Sequence, residues 1–315
     1  MKGNSQNLVL RSYLLATLTF IIWGTSFAIG KFVTPSPLSP FNITFFRTVI
    51  AALTLFIIIA LKGQIKEWFV VFRQEFLKYF IIGVFFYGCG FILEYWALAR
   101  TEASNQAMLS NTMTFWVVLI NFFVFKQQIK KNFIVGLILA FIGVLLILLT
   151  DEFNFSSATI IGDVGTLIAY IIWGMYSAFT AKMNEKYNPL FSTLSIFISS
   201  LILLFPMALM QGGFQEITQM SSINWLALLY LGIICGGIAF WIYNIALSNE
   251  QISSEYIVIF SLLNPIIGVV TGIILLGEGL VIREVIGIII ILSAIVLANR
   301  QPNNVDSIEI ISAKL

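Results

Sequence analysis

Long apolar runs separated by short polar segments set the pattern of this chain. The runs cover roughly residues 13–30, 41–61, 79–98, 103–125, 133–150, 160–181, 190–210, 224–247, 254–276 and 284–299. Most are about 18 to 23 residues long, enough for a helix rising about 1.5 Å per residue to cross ~30 Å of hydrocarbon. Their apolar positions are continuous, where a membrane β-barrel strand would alternate, so a barrel is excluded. The pattern therefore predicts an all-α polytopic membrane protein with ten transmembrane helices. Pro35, Pro37 and Pro40 break the chain between the first two runs, and Asn188-Pro189 precedes the seventh.

Composition agrees. Of 315 residues, 59% are hydrophobic and only 10% charged, too few charges to cover the surface of a soluble protein of this size. The two cysteines, Cys89 and Cys235, both fall inside apolar runs and read as buried thiols without a disulfide framework. The first run is followed by Lys31 and a Pro-rich turn rather than a small-residue cleavage site, so it is expected to be a retained signal anchor.

The net charge of +2 sums over two sides of a membrane and names no partner, and no basic patch is dense enough for nucleic acid. The distribution of cations is informative. With the N-terminus inside, the inner segments hold Lys2, Arg11, Lys62, Lys66, Arg73, Lys78, Lys126, Lys130, Lys131, Lys182, Lys186, Arg300 and Lys314, against Lys31, Arg100 and Arg283 outside. By the positive-inside rule both termini face the cytoplasm of a cell (inner or plasma) membrane. Residues 1–12 and 300–315 then form a cytoplasmic N-terminal segment and C-terminal tail.

The chain also repeats itself. IIWG at Ile21–Gly24 recurs at Ile171–Gly174, each followed by a lysine seven or eight residues on, Lys31 and Lys182. The stretch from Phe91 to Phe125 recurs from Phe240, with Ala97-Leu98 on Ala246-Leu247, Ser104 on Ser253 and Thr112 on Ser261. Gly136 of the fifth run matches Gly287 of the tenth. The repeats are residues 13–150 and 160–299. Each holds five helices, an odd number, so the second is expected to cross the membrane the opposite way round, an inverted repeat of the kind typical of secondary transporters.

WGTSFAIGK at Trp23–Lys31, FFRTVIAALTLF at Phe45–Phe56 and LNPIIGVVTGIILLGE at Leu263–Glu278 resemble the drug/metabolite transporter superfamily, EamA type. The resemblance covers about residues 13 to 299. LEYWALARTEASN is similar to a branch of that family with a Glu in helix 3. The first half departs from the usual pattern: Trp116 stands where a helix 4 proline is common, and Gln127 or Gln128 where a Glu often follows. The resemblance implies export of small metabolites, often amino acids or related compounds, through a central cavity between the halves.

Several kinds of chemistry are missing. The chain has no histidine, which removes His-based acid–base work, His metal ligation and His-containing triads. It has no P-loop run for ATP, and its three aspartates, Asp151, Asp163 and Asp306, all lie away from helix centres. No cofactor, metal or catalytic residue is expected.

What remains is polar chemistry inside helices. Glu94 is a carboxylate in an apolar run, a functional candidate because burying it in lipid is costly. Arg47 lies at a similar depth on the preceding helix. The two are expected to pair or to share a wet outer vestibule with Lys31 near its rim. Glu94 is also a candidate proton carrier, since desolvation raises a carboxylate pKa and a nearby Arg lowers it. Ser104, Met108, Asn111 and Thr112 share a broad face of helix 4, with Asn105 beside them, either a cavity wall or hydrogen-bonding glue between helices. Trp23, Trp173 and Tyr176 lie inside helices 1 and 6, away from the interfaces where aromatics usually anchor, and could line a cavity for amino-acid-sized solutes. Asn244 and Asn264 complete the candidate set. Pro265 is a candidate hinge, expected to free the carbonyl of Ser261. Glu255, in the first turn of helix 9, suits the helix dipole. Gly268 and Gly272 suggest close packing, and Gly136, Gly143 and Gly287 either pack the halves together or form a homodimer seam.

The expectation is a secondary exporter of amino acids or their derivatives that works by alternating access, with the lipid bilayer, a small-molecule substrate and protons as its partners. Efflux of amphipathic drugs is the alternative within the same class. A membrane-embedded enzyme or a non-transporting receptor or subunit is the alternative outside it.

Overall fold

The computed structural model describes residues 2–33, 38–101, 106, 109–148, 160–211, 213–276 and 282–299. Among them every regular element is helical. We number them α1 (Lys2–Val33), α2 (Pro40–Leu61), α3 (Ile65–Gln74), α4 (76–98), α5 (Met113–Phe123), α6 (Lys131–Leu148), α7 (Ile160–Asn184), α8 (Pro189–Met210), α9 (Gly213–Glu216), α10 (222–247), α11 (254–276) and α12 (Ile282–Asn299). Seven helices among the described residues are long and apolar enough to cross a membrane, and three more apolar helices, Met113–Phe123, Lys131–Ile147 and Ser254–Ile267, are shorter.

Local sequence sets the helix starts. Ser39 caps α2, its hydroxyl accepting from Asn42 N at 3.3 Å, with Pro40 in the first turn. In the second half Asn188 caps α8 the same way, accepting from Leu190 N at 3.0 Å ahead of Pro189. Proline suits the first turn because its missing N–H would have no helical partner there.

The polar-to-apolar arrangement is inside out. Leu53, Ile57, Ile138, Ile142, Ile289 and Val296 are exposed, while Asn42, Arg47, Asn121, Asn244 and Glu255 are buried. An apolar perimeter around a partly polar interior suits a hydrocarbon surround, where backbone groups must be satisfied within helices.

The two halves make reciprocal contacts. α4 packs on α8 and α10 on α2; α4 also packs on α7 and α10 on α1; α5 packs on α7 and α11 on α1; α6 packs on α12. Both α4 and α10 carry a π-helical stretch in mid-span, Ile81–Gly88 and Leu231–Ile238. Glycines let these stretches approach their partners. A Cβ on Gly83 would lie 2.5 Å from the Ile196 carbonyl oxygen, and one on Gly232 would lie 2.6 Å from Ile50 Cβ. Gly143 and Gly287 are used inside the chain, where α6 crosses α12: a Cβ on Gly143 would lie 2.8 Å from the Gly287 carbonyl oxygen. What Gly268 and Gly272 themselves pack against lies outside the described set.

Two differences from the sequence reading concern helix continuity. Residues 65–74, read as part of an inner loop, form α3, whose Trp68 is buried and donates its indole N–H to Ser195 Oγ at 3.1 Å. Helix 9 is also not uniform: α11 runs as Ser254–Val258, a 3₁₀ stretch Ile259–Leu263, then Asn264–Leu276.

Candidate functional site

Glu94 lies near the end of α4, half-buried. Its side chain is held by α7: Tyr170 Oη donates to Oε1 at 3.1 Å and Trp173 Nε1 donates to Oε2 at 2.9 Å. Tyr170 and Trp173 are three residues apart, so a helix presents both on one face. Gln106 Nε2 donates to the Glu94 main-chain carbonyl at 2.8 Å, tying the following segment to the same place. Glu94 thus belongs to the first repeat and its two donors to the second, which puts the carboxylate on the boundary between them.

Arg47 of α2 is 6% exposed. Its Nη1 donates to Tyr95 Oη at 3.1 Å and its guanidinium lies 4.5 Å over the Phe91 ring. Its Nε is buried without a hydrogen-bond partner. Of the two arrangements expected for Arg47 and Glu94, a pair or a shared vestibule, the direct ion pair is not formed; the ion pairs among the described residues are Glu75–Lys78 and Lys182–Glu185. The charges are linked at one remove. Phe91 meets the Arg47 guanidinium, and its ring centroid lies 4.7 Å from that of Trp173, the donor to Glu94. Tyr95, adjacent to Glu94 in sequence, takes the place the sequence reading gave to the carboxylate. The Lys31 side chain lies outside the described set.

Aromatic rings fill the space beneath. Tyr87, Phe91, Trp173, Tyr176, Phe197 and Phe240 form a connected cluster, with Tyr87 and Phe197 centroids 4.8 Å apart. Trp23 joins it through Phe240 at 4.8 Å and Tyr243 at 5.1 Å. Its indole N–H goes to the Cys235 carbonyl at 2.9 Å, inside the second π-helical stretch. A π-helix shifts the backbone hydrogen-bond register locally, and such stretches are frequent at functional sites. Asn244 is fully buried in a polar knot: its Nδ2 donates to Tyr176 Oη at 3.2 Å and Thr193 Oγ1 at 2.8 Å, and its Oδ1 accepts from Asn184 Nδ2 at 3.0 Å.

A second polar cluster lies at the opposite end of the helices. Glu255, 1% exposed, accepts from Asn121 Nδ2 and from Ser253 Oγ, and Asn121 Nδ2 also reaches Ser254 Oγ at 2.9 Å. Glu255 does occupy the first turn of its helix, and it also bridges to α5. A small cavity of about 60 Å³ opens beside it, lined by Tyr13, Lys130, Gln251, Ile252, Ser253, Tyr256 and Asn299.

The break in helix 9 corrects one expectation. The Ser261 carbonyl is not left free by Pro265: the chain tightens into the 3₁₀ stretch, and Asn264 N donates to it. Helix 4 is interrupted at the corresponding place without a proline. Asn111 and Thr112 form a turn ahead of α5, Thr112 N donates to Leu109 O at 3.0 Å, Thr112 Oγ1 donates to the same carbonyl at 2.6 Å, and Trp116 Nε1 donates to Thr112 Oγ1 at 3.3 Å.

Of the other candidates, Asn111 is buried and Asn264 half-buried, while Ser104, Asn105 and Met108 lie outside the described residues. Tyr95, Tyr170, Gln106 and Asn121 escaped the sequence reading. Tyr170 had a signal, being one helical turn from Trp173. No group of His, Cys, Asp or Glu among the described residues could hold a metal ion.

Comparison with known proteins agrees with this architecture. A transporter of Archaeoglobus fulgidus, described as uncharacterized, is 31% identical over 252 residues, covering 79% of this chain and 84% of that protein. A "probable amino-acid metabolite efflux pump" of Salmonella typhimurium is 26% identical over 203 residues, covering 61% of this chain and 66% of the other. A solved crystal structure superposes with a TM-score of 0.75 at 16% identity, over 91% of this chain and 96% of that one, a likeness of fold. The EamA-like transporter family matches twice, over residues 10–149 and 160–300. The chain is thus a multi-pass membrane protein that belongs to the EamA-like transporter family.

Proposed function

We propose that the protein is a secondary transporter that exports small metabolites, with amino acids or their derivatives as the substrate class. Its ten spans form two inverted five-helix repeats, 13–150 and 160–299, that rock about a central site near the midplane of the cell membrane, with both termini in the cytoplasm. The seven long and three shorter apolar helices support ten spans, and the reciprocal contacts between the halves support the repeat.

The observation that carries the reading is the contact of Glu94 with Tyr170 and Trp173. A half-buried carboxylate whose donors come from the other repeat changes its surroundings whenever the repeats rock. Substrate reaching Glu94, Arg47 and the aromatic cluster from one side would be released when the opposite side opens. Moving Glu94 away from its α7 donors changes its desolvation and hydrogen bonding, which together with nearby charge set whether it holds a proton. That is the route by which protons would drive export.

The test is flux of a panel of amino acids and amphipathic drugs in proteoliposomes with an imposed pH gradient. Saturable amino-acid flux supports the reading. Saturable drug flux without amino-acid flux replaces it with multidrug efflux, for which the aromatic lining is also suited. Ligand binding without any flux would make the protein a receptor or subunit.

A further inference from the structure

Arg47 and Glu94 present an unusual combination. Both are charged side chains within the helix bundle, Arg47 meeting the residues Phe91 and Tyr95 that flank Glu94 on α4. Arg47 is seven residues from the start of α2 and Glu94 four residues from the end of α4, about 10 Å and about 6 Å deep at the helical rise. Neither has an oppositely charged partner among the described residues. Each is held by neutral aromatic side chains: Arg47 by Tyr95 and Phe91, Glu94 by Tyr170 and Trp173.

We propose that Arg47 and Glu94 are the two poles of a site for a zwitterionic amino acid, Arg47 taking its carboxylate and Glu94 its ammonium. This rests on the reading of the protein as an amino-acid transporter. A guanidinium offers five N–H donors in a planar fork that suits a carboxylate. Here one nitrogen, Nη1, is engaged by Tyr95 and another, Nε, is buried without a partner. A carboxylate has about four acceptor positions, and the two Glu94 oxygens each receive one neutral donor, leaving capacity for an ammonium. Phe91, Tyr95 and Trp173 supply ring faces and edges between the poles, and ring faces attract an ammonium.

Charge balance selects the substrate. An isolated buried charge is expensive in a membrane interior. An anion alone would compensate Arg47 and leave Glu94; an organic cation alone would do the reverse. A molecule with one charge of each sign compensates both at once. In this arrangement the Arg47 guanidinium meets Phe91 and Tyr95 and the Glu94 carboxylate meets Tyr170 and Trp173, each with capacity left for a charged partner.

Competition against counterflow of a labelled amino acid in proteoliposomes tests this. The competitors are the unlabelled amino acid, its amide, which lacks the carboxylate, and its N-acetyl form, which lacks the ammonium. The wild-type carrier should favour the zwitterion over each by at least about tenfold, the size of one good charged contact. Glu94→Gln should narrow the gap for the N-acetyl form alone, and Arg47→Gln the gap for the amide alone. A merely structural role would weaken all three competitors together, which would overturn the proposal. Should Arg47→Gln fail to fold, the wild-type preference and Glu94→Gln still decide. If amino acids are carried but the wild type treats all three competitors alike, the bipolar site is wrong and the transport reading stands. If no amino acid is carried while drugs are, the transport reading itself has failed.

Discussion

Trp173 donates its indole N–H to the Glu94 carboxylate across the boundary between the two repeats, at 2.9 Å. The equivalent tryptophan of the first repeat, Trp23, donates instead to the Cys235 main-chain carbonyl, also at 2.9 Å. By the sequence repeat, the position of Glu94 in the second half is held by Tyr243, whose ring packs against Trp23 at a tilt, with centroids 5.1 Å apart. Of these two matched positions, only the first half carries a carboxylate.

This difference predicts unequal effects of one substitution. Trp173→Phe keeps most of the ring and removes a hydrogen bond to a charged group, a loss of about 1.5 to 3 kcal/mol. Initial flux should fall at least about tenfold by that energy. Trp23→Phe removes a bond to a backbone carbonyl and should cost less. Equal losses in the two variants would show that the indoles serve only packing.

Close approach of the π-helical stretches makes Gly83 and Gly232 sensitive. Gly83→Val must displace Ile196 backbone and Ser199, and Gly232→Val must displace Ile50. Both should lower the thermal unfolding temperature in detergent. Gly63 follows α2 at φ +69° with open space around the missing Cβ, so Gly63→Ala should cost only about 1 kcal/mol of backbone strain. A Gly83→Val protein as stable as Gly63→Ala would contradict the packing.

At the membrane surface Glu75 bonds Lys78 and the Tyr187 hydroxyl, joining the start of α4 to the turn before α8. The Lys78 bond, then the Tyr187 bond, hold the Glu75 carboxyl below the usual carboxylate range. A depressed folded-state pKa gives stability that is present above the unfolded value, about 4.3, and lost as pH falls through the folded one. Glu75→Gln should therefore remove a small part of the acid sensitivity below about pH 4. The readout is the pH dependence of thermal unfolding; an unchanged acid limb would count against the clamp.

Asn121 is the bridge from α5 to the buried Glu255. Asn121→Leu leaves that carboxylate short of a donor and should destabilise the protein by about 2 kcal/mol. Asn121→Gln, which keeps an amide, should recover part of it. Unfolding of the purified variants in denaturant measures both.

The long apolar helices were legible because apolar length is a simple property of a chain in lipid. Glu94 was legible for the same reason: a carboxylate in an apolar run is conspicuous. Its partners were less so, because Tyr170 and Tyr95 are unremarkable among ten tyrosines, and only three-dimensional packing gives them a charged neighbour. The π-helical stretches were hidden, since IIGVFFYG and LGIICGGI have the composition of ordinary membrane helix. The helix 4 break had no proline to announce it; Thr112 and Trp116 make side-chain hydrogen bonds at the interruption instead. The separation of Arg47 from Glu94 could not be read either, because equal depth on two helices does not fix which way two side chains turn.

The central claim is that a small amino-acid-like solute crosses through the site at Glu94. Its most direct test is efflux of a preloaded labelled amino acid from proteoliposomes holding wild type or Glu94→Ala, each shown to be folded by its thermal unfolding. The account predicts saturable efflux from the wild type and at least about a tenfold loss in Glu94→Ala, as expected when a charged contact is removed. Efflux from Glu94→Ala equal to wild type, or none from either above empty liposomes, would contradict it.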